Sequence, residues 1–136
     1  MLVRPITKEE RLQSAQLFAI AFESPFDPND LTPFAENPCI WAAFDEKSGE
    51  MMSTVYVTDY RVQFDGGRYK MGGIGGVASL PQYRRAGGIR ACFQKALPIL
   101  YREGYVFSYL YPFSTAYYRK FGYESCVQRY LAVLDL

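Results

Sequence analysis

The stretch VASLPQYRRAGGIR, residues 77–90, limits the possible folds more than any other part of the sequence. An apolar run typical of a strand meets Pro81, then two adjacent arginines, two adjacent glycines and a helical pattern. The first turn of a helix has free N–H groups and the positive end of the helix dipole. Glycine lets a ligand approach those groups and arginine adds charge, so the stretch predicts a diphosphate site. An ordinary strand-to-helix turn with surface arginines is the alternative.

The remaining elements follow from hydrophobic periodicity and from the turn residues that separate them. Apolar residues recur at helical spacing over residues 8–23, where Thr7 and Glu10 form a capping-box pattern. Strands are predicted over Leu2–Pro5, Cys39–Asp45, Met51–Phe64, Tyr69–Leu80, Tyr105–Leu110 and Glu124–Leu134, and helices over Gly87–Tyr101 and Ser114–Phe121. Hairpins thus precede one parallel β-α-β unit. We predict the α/β class, with a mixed and largely antiparallel sheet in a single domain, residues 1–136.

The composition excludes several kinds of chemistry. Histidine is absent from the 136 residues, which excludes a histidine-based triad and argues against a zinc site. Cys39, Cys92 and Cys126 lie far apart, and we interpret them as buried, reduced thiols instead of metal ligands or disulfides. No apolar run reaches the roughly 18 residues of a membrane span, and the start of the chain lacks a signal-peptide pattern. We therefore expect a cytoplasmic protein with no membrane partner.

The charge is unevenly distributed along the chain. Residues 1–50 contain nine acidic and four basic residues, whereas residues 51–136 contain five acidic and eleven basic ones. An anionic ligand would therefore prefer the second part of the chain, and a cationic ligand the first. The basic residues surround a glycine loop instead of forming a continuous stripe, and the net charge is only +1, so we expect no nucleic-acid partner.

Two motifs resemble those of the GNAT N-acetyltransferase superfamily. The loop RRAGG, residues 84–88, is similar to its acyl-CoA-binding motif, Arg/Gln-x-x-Gly-x-Gly/Ala, except that Ile89 stands where a small residue is expected. AYYRKFGYE, residues 116–124, resembles its closing Tyr-x-x-x-Gly-Phe signature, with Tyr123 in the aromatic place. The two motifs occur in the expected order, and the predicted order of strands agrees with the superfamily over the whole chain.

More narrowly, YRRAGGIR followed by LYPFSTAYYRKFGYE resembles the N-terminal domain of Eis-type (enhanced intracellular survival) acetyltransferases. The resemblance implies a GNAT fold with helices on both faces of the sheet, acetyl-CoA as co-substrate and no metal. It implies transfer of an acetyl group to a primary amine of a small molecule, such as an aminoglycoside or polyamine, or of a protein. Eis-type proteins carry further C-terminal domains, so the chain is expected to be a domain of a longer protein, a compact relative or a homo-oligomer. An acyl-CoA-binding module without independent catalysis is the alternative function.

The resemblance also assigns the acyl-CoA contacts. The pantetheine arm would lie along the end of the fourth strand at Val77, Ala78 and Ser79, with backbone groups of Val77 and Ser79 facing it. Backbone N–H groups and arginine side chains of the following loop would hold the diphosphate. These residues are Arg84, Arg85, Ala86, Gly87, Gly88 and Ile89.

Tyr118 stands four residues before Gly122, where the resemblance places the general acid that protonates the departing CoA thiolate. The alternative is a core tyrosine whose hydroxyl is bonded locally, and its neighbour Tyr117 would point to another side of the short helix. No carboxylate stands out as a general base. The loop from residue 22 to residue 30 is expected on the substrate side, with Phe22 and Asp27 as contact residues, although ordinary loop acids would give the same pattern.

Overall fold

The computed structural model describes residues 1–29 and 38–127. Five strands and three helices occupy these ranges, and a 3-10 turn, Pro81–Tyr83, precedes the second helix. The elements are β1 (Leu2–Pro5), α1 (Arg11–Phe22), β2 (Pro38–Phe44), β3 (Met51–Phe64), β4 (Gly67–Ser79), α2 (Gly88–Arg102), β5 (Tyr105–Leu110) and α3 (Thr115–Arg119).

The strands form one mixed sheet in the order β1-β2-β3-β4-β5. The pairs from β1 to β4 are antiparallel. Tight turns join β2 to β3 and β3 to β4, and Gly49 and Gly66 provide the positive φ angles, +74° and +76°, that these turns contain. β5 is parallel to β4, because α2 carries the chain back across the sheet. The predicted α/β class with a largely antiparallel sheet is confirmed.

Different helices cover the two faces of the sheet, because side chains alternate along each strand. Trp41 and Ala43 of β2 belong to the core beneath α2, whereas Ala42 and Phe44 belong to the core beneath α1. The prediction of helices on both faces is therefore confirmed. The buried residues of the first core are Trp41, Ala43, Val55, Val57, Ile74, Cys92, Phe93, Ala96, Leu100 and Tyr118, and those of the second are Leu17, Ala42, Phe44, Met51 and Ala78.

The first helix begins at Arg11 and not at residue 8 as the sequence predicted. Both carboxylate oxygens of Glu10 accept hydrogen bonds from the Arg4 guanidinium on β1, each at 2.7 Å. Glu10 also accepts a hydrogen bond from the Thr7 N–H at 2.8 Å, but no side chain caps the helix. Half of the predicted capping box is therefore present. Glu10 fastens the turn before α1 to β1, and the helix starts only after it.

Neutralising Glu10 should destabilise the protein in a pH-dependent way. Arg4, followed by other contacts, holds the pKa of Glu10 down to about 2 from its ordinary 4.5. Because the pKa is lower in the folded state, this stabilisation is present above pH 4.5 and is lost as the pH falls towards 2. We expect Glu10→Gln to lower the free energy of unfolding by about 1 kcal/mol at pH 7 and by much less near pH 2.5. Urea unfolding at both pH values measures this, and equal losses would contradict the assignment.

The cysteines differ from the sequence interpretation. Cys92, a residue of α2, is buried, but Cys39 and Cys126 are exposed, so the expectation that all three are buried is wrong. Cys39 lies near the start of β2, and Cys126 follows the last helix. Burial raises the pKa of the Cys92 thiol to about 12, which makes that residue an unreactive part of the core.

The structure describes only the first part of the last predicted strand. Residues 124–127, at the start of the predicted strand Glu124–Leu134, have no regular secondary structure, and the remainder of that prediction lies outside the described residues. None of the described helices is long and apolar enough to cross a membrane. Within residues 1–29 and 38–127, no group of three or more histidine, cysteine or acidic side chains could hold a metal ion.

Candidate functional site

The C-terminal end of β4 has an open edge. Pairing between β4 and β5 ends at Ile74 and Leu110, yet β4 continues to Ser79. The Leu80 N–H donates to a carbonyl of β3 at 3.0 Å, and backbone groups alternate between the two edges of a strand. The backbone groups of Ser79 and Val77 therefore face away from β3, towards the side on which no described strand pairs with them. An extended ligand could pair with this edge as an additional strand.

A β-bulge in β4 lies beside this open edge. Thr54 pairs with Ala78 and Tyr56 with Gly75, so Gly76 and Val77 together stand opposite a single β3 residue. Gly76 has a φ of +50°, and a Cβ atom there would lie 2.5 Å from the Tyr56 ring. Only glycine fits this position. Because bulges bend a strand and increase its twist, the bulge explains why β4 separates from β5 after Ile74.

The loop between β4 and α2 presents free backbone donors. The Ala86 N–H donates to the Tyr83 carbonyl at 3.2 Å, and the Ala91 N–H to the Gly87 carbonyl at 3.0 Å. The N–H of Ala86, which was predicted to contact the diphosphate, is therefore already hydrogen-bonded within the loop. Gly87, at φ +85°, immediately precedes the helix. Within the described part of the chain, the backbone N–H groups without an acceptor at this end of α2 are those of Arg85, Gly87, Gly88, Ile89 and Arg90.

Gly88 brings the first turn of α2 into close contact with the sheet. A Cβ atom on Gly88 would lie 2.5 Å from Ser53 Oγ, 2.9 Å from Ser53 Cβ and 3.3 Å from Ala43 Cβ. The close packing of α2 on the sheet therefore requires a small residue at position 88, where this chain has glycine. Ile89, which departs from the superfamily pattern, is partly buried and packs against the core beneath α2 without displacing the helix from β3.

Ser53 is a residue of this site that the sequence analysis missed. It is fully buried on β3, and its Oγ lies 2.6 Å from the Oγ of Ser79 at the open edge of β4. Ser53 therefore lies between the start of α2 and the strand edge. A serine inside the apolar strand Met51–Phe64 was a visible signal, but only the fold reveals that it packs against Gly88.

The arginines of the loop are exposed and available to an anion. Arg84 and Arg85 form no ion pair with any residue of the ranges 1–29 and 38–127. Arg90, one turn into α2, lies over the Phe121 ring, with its Cζ 5.9 Å from the ring centroid. Three guanidinium groups therefore occur close together along the chain beside the free N–H groups.

Tyr118 is buried, with 5% of its surface exposed, and belongs to the core beneath α2. Val77 and Ile89 pack against the same core, and the centroid of the Tyr118 ring lies 6.4 Å from that of Phe93, near the start of α2. Unlike the hydroxyl of Tyr123, which bonds to Ser108 at 2.6 Å, the Tyr118 hydroxyl has no partner among the described residues. Tyr118 also lines a neighbouring cavity.

The residues on both sides of Tyr118 hold α3 and its tyrosine in place. Ser114 caps α3 by accepting a hydrogen bond from the Tyr117 N–H, and Gly122, at φ +90°, reverses the chain after the helix. This reversal directs the Tyr123 hydroxyl to Ser108 on β5. Burial, followed by the neighbouring Tyr117 and Tyr123, raises the pKa of Tyr118 to about 12, so the phenol is protonated at physiological pH. Tyr117 itself is only partly buried and packs against Phe121.

A cavity of about 390 Å³ adjoins Tyr118. Its walls come from α2, β5, α3 and the segment that follows α3. Glu124 is the acidic residue in its lining, and the two Glu124 oxygens accept hydrogen bonds from Arg119 Nε at 2.8 and 3.1 Å. The lining residues are Leu97, Ser108, Tyr109, Leu110, Pro112, Thr115, Tyr118, Phe121, Gly122, Tyr123, Glu124, Ser125, Cys126 and Val127.

The predicted substrate residues are not brought into contact with Tyr118. Phe22 lies at the end of α1, on the opposite face of the sheet, and the centroid of its ring is 4.4 Å from that of Phe18. Asp27 is exposed, and its Oδ1 accepts a hydrogen bond from the Asn29 N–H at 2.8 Å. Asp30 lies outside the described residues. The observed contacts of Phe22 and Asp27 are those of an ordinary helix end and turn.

Comparison with known proteins gives a family match over most of the chain. The family described as acetyltransferase (GNAT) domain matches residues 2–126. No curated protein matches. Among solved structures, a conserved protein of unknown function from Enterococcus faecalis V583, described as a probable N-acyltransferase, is 34% identical with a TM-score of 0.82. That match covers 90% of this chain and 32% of the other, so this chain spans about a third of its length.

Two further structures share the fold at low identity. An acetyltransferase from Trypanosoma brucei is 18% identical with a TM-score of 0.77, over 98% of this chain and 99% of that one. Eis1 from Mycobacterium abscessus is 19% identical with a TM-score of 0.78, over 90% of this chain and 32% of that one. The family match covers both the loop before α2 and Tyr118. The chain therefore belongs to the GNAT acetyltransferase family, whose members use acetyl-CoA as co-substrate.

Proposed function

We propose that this chain is an acetyl-CoA-dependent N-acetyltransferase that moves an acetyl group to a primary amine of a small molecule, such as an aminoglycoside or polyamine, or of a protein. The observation that carries the proposal is the combination of free backbone donors at the start of α2 with the open edge of β4. Diphosphates bind at such helix starts, and an amide-bearing arm pairs with such an edge. The hydroxyl of Tyr118, which lines the neighbouring cavity, provides a hydrogen-bond donor.

The residues around the loop fit acyl-CoA. The free N–H groups of Arg85, Gly87, Gly88 and Ile89 would hold the diphosphate, and the exposed Arg84 and Arg85 side chains would add charge. Val77 and Ser79 would offer backbone groups to the pantetheine arm, and Ala78 would face β3. When bound, acetyl-CoA supplies an acetyl group already activated as a thioester.

Tyr118 would act on the leaving sulfur through its hydroxyl. With a pKa of about 12, the phenol holds its proton more tightly than a thiol, whose pKa is about 8.5. Complete proton transfer to a thiolate is therefore uphill. We assign to Tyr118 the donation of a hydrogen bond that stabilises the negative charge developing on sulfur. The raised pKa keeps the donor protonated at every physiological pH.

The attacking amine must lose a proton. Arg119 lowers the pKa of Glu124, the acidic residue in the cavity lining, which makes Glu124 a weak base. We therefore expect the amine proton to leave through water. Positioning of the amine against the acetyl group would supply much of the rate.

An Eis-type relationship is the narrower part of the proposal. It is supported by the match to the Enterococcus protein over a third of that chain, and by the fold shared with Eis1. On this reading the chain corresponds to one domain, 1–136, of a cytoplasmic enzyme, with additional domains or a second copy completing the substrate site. Phe22 and Asp27 remain candidates for amine contact there.

Release of free thiol from acetyl-CoA tests the activity. We expect faster release when polyamines or aminoglycosides are added than without an amine, and acetylated amine should accumulate in equal amount. Binding of acetyl-CoA without any amine-dependent release would instead favour an acyl-CoA-binding module without independent catalysis.

A further inference from the structure

We propose that Glu50 is a positioning residue that holds the acyl-CoA loop in its binding conformation. This inference rests on the proposed function, because the loop is the one assigned to the diphosphate. Glu50 lies at the end of the turn between β2 and β3, far from the loop in sequence but in contact with it in the fold.

Glu50 contacts the loop through two side chains of the 3-10 turn. The Tyr83 hydroxyl donates to Glu50 Oε2 at 2.8 Å, and Gln82 Nε2 donates to Oε1 at 3.3 Å. The Glu50 carbonyl in turn accepts a hydrogen bond from the Asp45 N–H at 2.9 Å, which secures it within the β2–β3 turn. One carboxylate thus joins the loop to a rigid hairpin.

The loop needs such a support because its backbone is unusual. Arg85 has a φ of +68°, in the left-handed region that residues other than glycine rarely adopt. Such conformations persist where the surrounding structure enforces them. The Tyr83 carbonyl accepts the Ala86 N–H, so a fixed Tyr83 also fixes the turn that contains Arg85. The contact from Glu50 is therefore placed where it controls which N–H groups of the loop stay free.

The charge of Glu50 also indicates a positioning role. A carboxylate near a site for a diphosphate repels the ligand, so a carboxylate at this place is expected to have a structural role. Here both oxygens accept hydrogen bonds from the loop itself, and the hydrogen bond to Glu50 is the main cause of a raised pKa at Tyr83. The oxygens of Glu50 thus serve as the acceptors that hold Tyr83 and Gln82.

Tyr83→Phe tests the proposal, because it removes the hydroxyl and keeps the ring. We expect the KM for acetyl-CoA to rise about three- to tenfold, since the competent loop is less populated, while kcat stays within about twofold. Glu50→Ala should give the same shift, and Glu50→Gln, which keeps an acceptor, should retain most of the affinity. Tyr101→Phe is the matched control, because Tyr101 is 80% exposed on α2.

Limited trypsin digestion of the protein without acetyl-CoA gives a second readout that needs no activity. Cleavage after Arg84 and Arg85 should be faster in Tyr83→Phe than in the parent and in Tyr101→Phe. Unchanged KM and unchanged cleavage would overturn the role of Glu50. A fall in kcat at constant KM would overturn it as well. If the parent chain binds no acetyl-CoA, the proposed function fails, while the cleavage rates still decide whether Glu50 holds the loop.

Discussion

Replacing Gly88 with alanine is expected to weaken acetyl-CoA binding by at least about tenfold and to destabilise the protein by about 1–3 kcal/mol. The added Cβ would lie 2.5 Å from Ser53 Oγ and 2.9 Å from Ser53 Cβ. Ser53 and Ala43 are both fully buried on the sheet and cannot retreat. The first turn of α2 must then move outward, and the N–H groups at its start move with it. Calorimetric titration and urea unfolding measure the two effects.

Gly75→Ala is the matched control for Gly88→Ala. Gly75 lies on β4 close to the same site, but a Cβ atom there would meet no atom within 4 Å, and its φ is not in the left-handed region. We expect near-parental stability and affinity from this variant. If Gly88→Ala behaved like Gly75→Ala, the close packing of α2 on Ser53 would have no role in the site.

Tyr118→Phe should lower kcat by about 100-fold with little change in the KM for acetyl-CoA, because it removes one hydrogen-bond donor to the leaving sulfur. The ring packs among Phe93, Phe113 and Tyr117, and phenylalanine preserves those contacts. The hydroxyl has no partner among the described residues, so its loss leaves no described polar group unpaired. Steady-state kinetics with a saturating amine measure the effect.

Tyr117→Phe separates this role from a general effect of the aromatic cluster. Tyr117 is adjacent in sequence and partly buried, and its ring packs against Phe113 and Phe121. We expect its kcat to stay within about threefold of the parent. Because the pKa of Tyr118 is about 12, the parent should show no loss of rate from this residue below about pH 11. Equal kcat for Tyr118→Phe and the parent would remove Tyr118 from the mechanism.

Local sequence signals were sufficient for much of the fold. β3, Met51–Phe64, and β5, Tyr105–Leu110, have the predicted bounds, since alternating apolar residues and flanking glycine turns define them. The glycine pair at the start of α2 also predicted the free donors there. The predicted start of α1 was wrong because Arg4, which lies outside the helical pattern, binds Glu10 and holds the preceding turn on β1.

The supporting contacts of the site could not be predicted, because they join residues that are distant in sequence. Ser53 meets Gly88, and Glu50 meets Tyr83, only after the hairpins and the β4-α2-β5 unit have formed. Periodicity places each residue on a strand or turn but does not pair them. The bulge at Gly76 was likewise visible only as glycine-rich sequence, and its position depends on the register with β3.

Calorimetric titration of acetyl-CoA into the unmodified chain tests the central claim most directly. We expect one binding site per chain with a dissociation constant between about 1 μM and 1 mM. The double variant Arg84→Glu, Arg85→Glu, which reverses two exposed charges without altering the core, should lose this binding. Absence of binding by the parent chain, or equal binding by the double variant, would contradict the assignment of the loop before α2 as the acyl-CoA site.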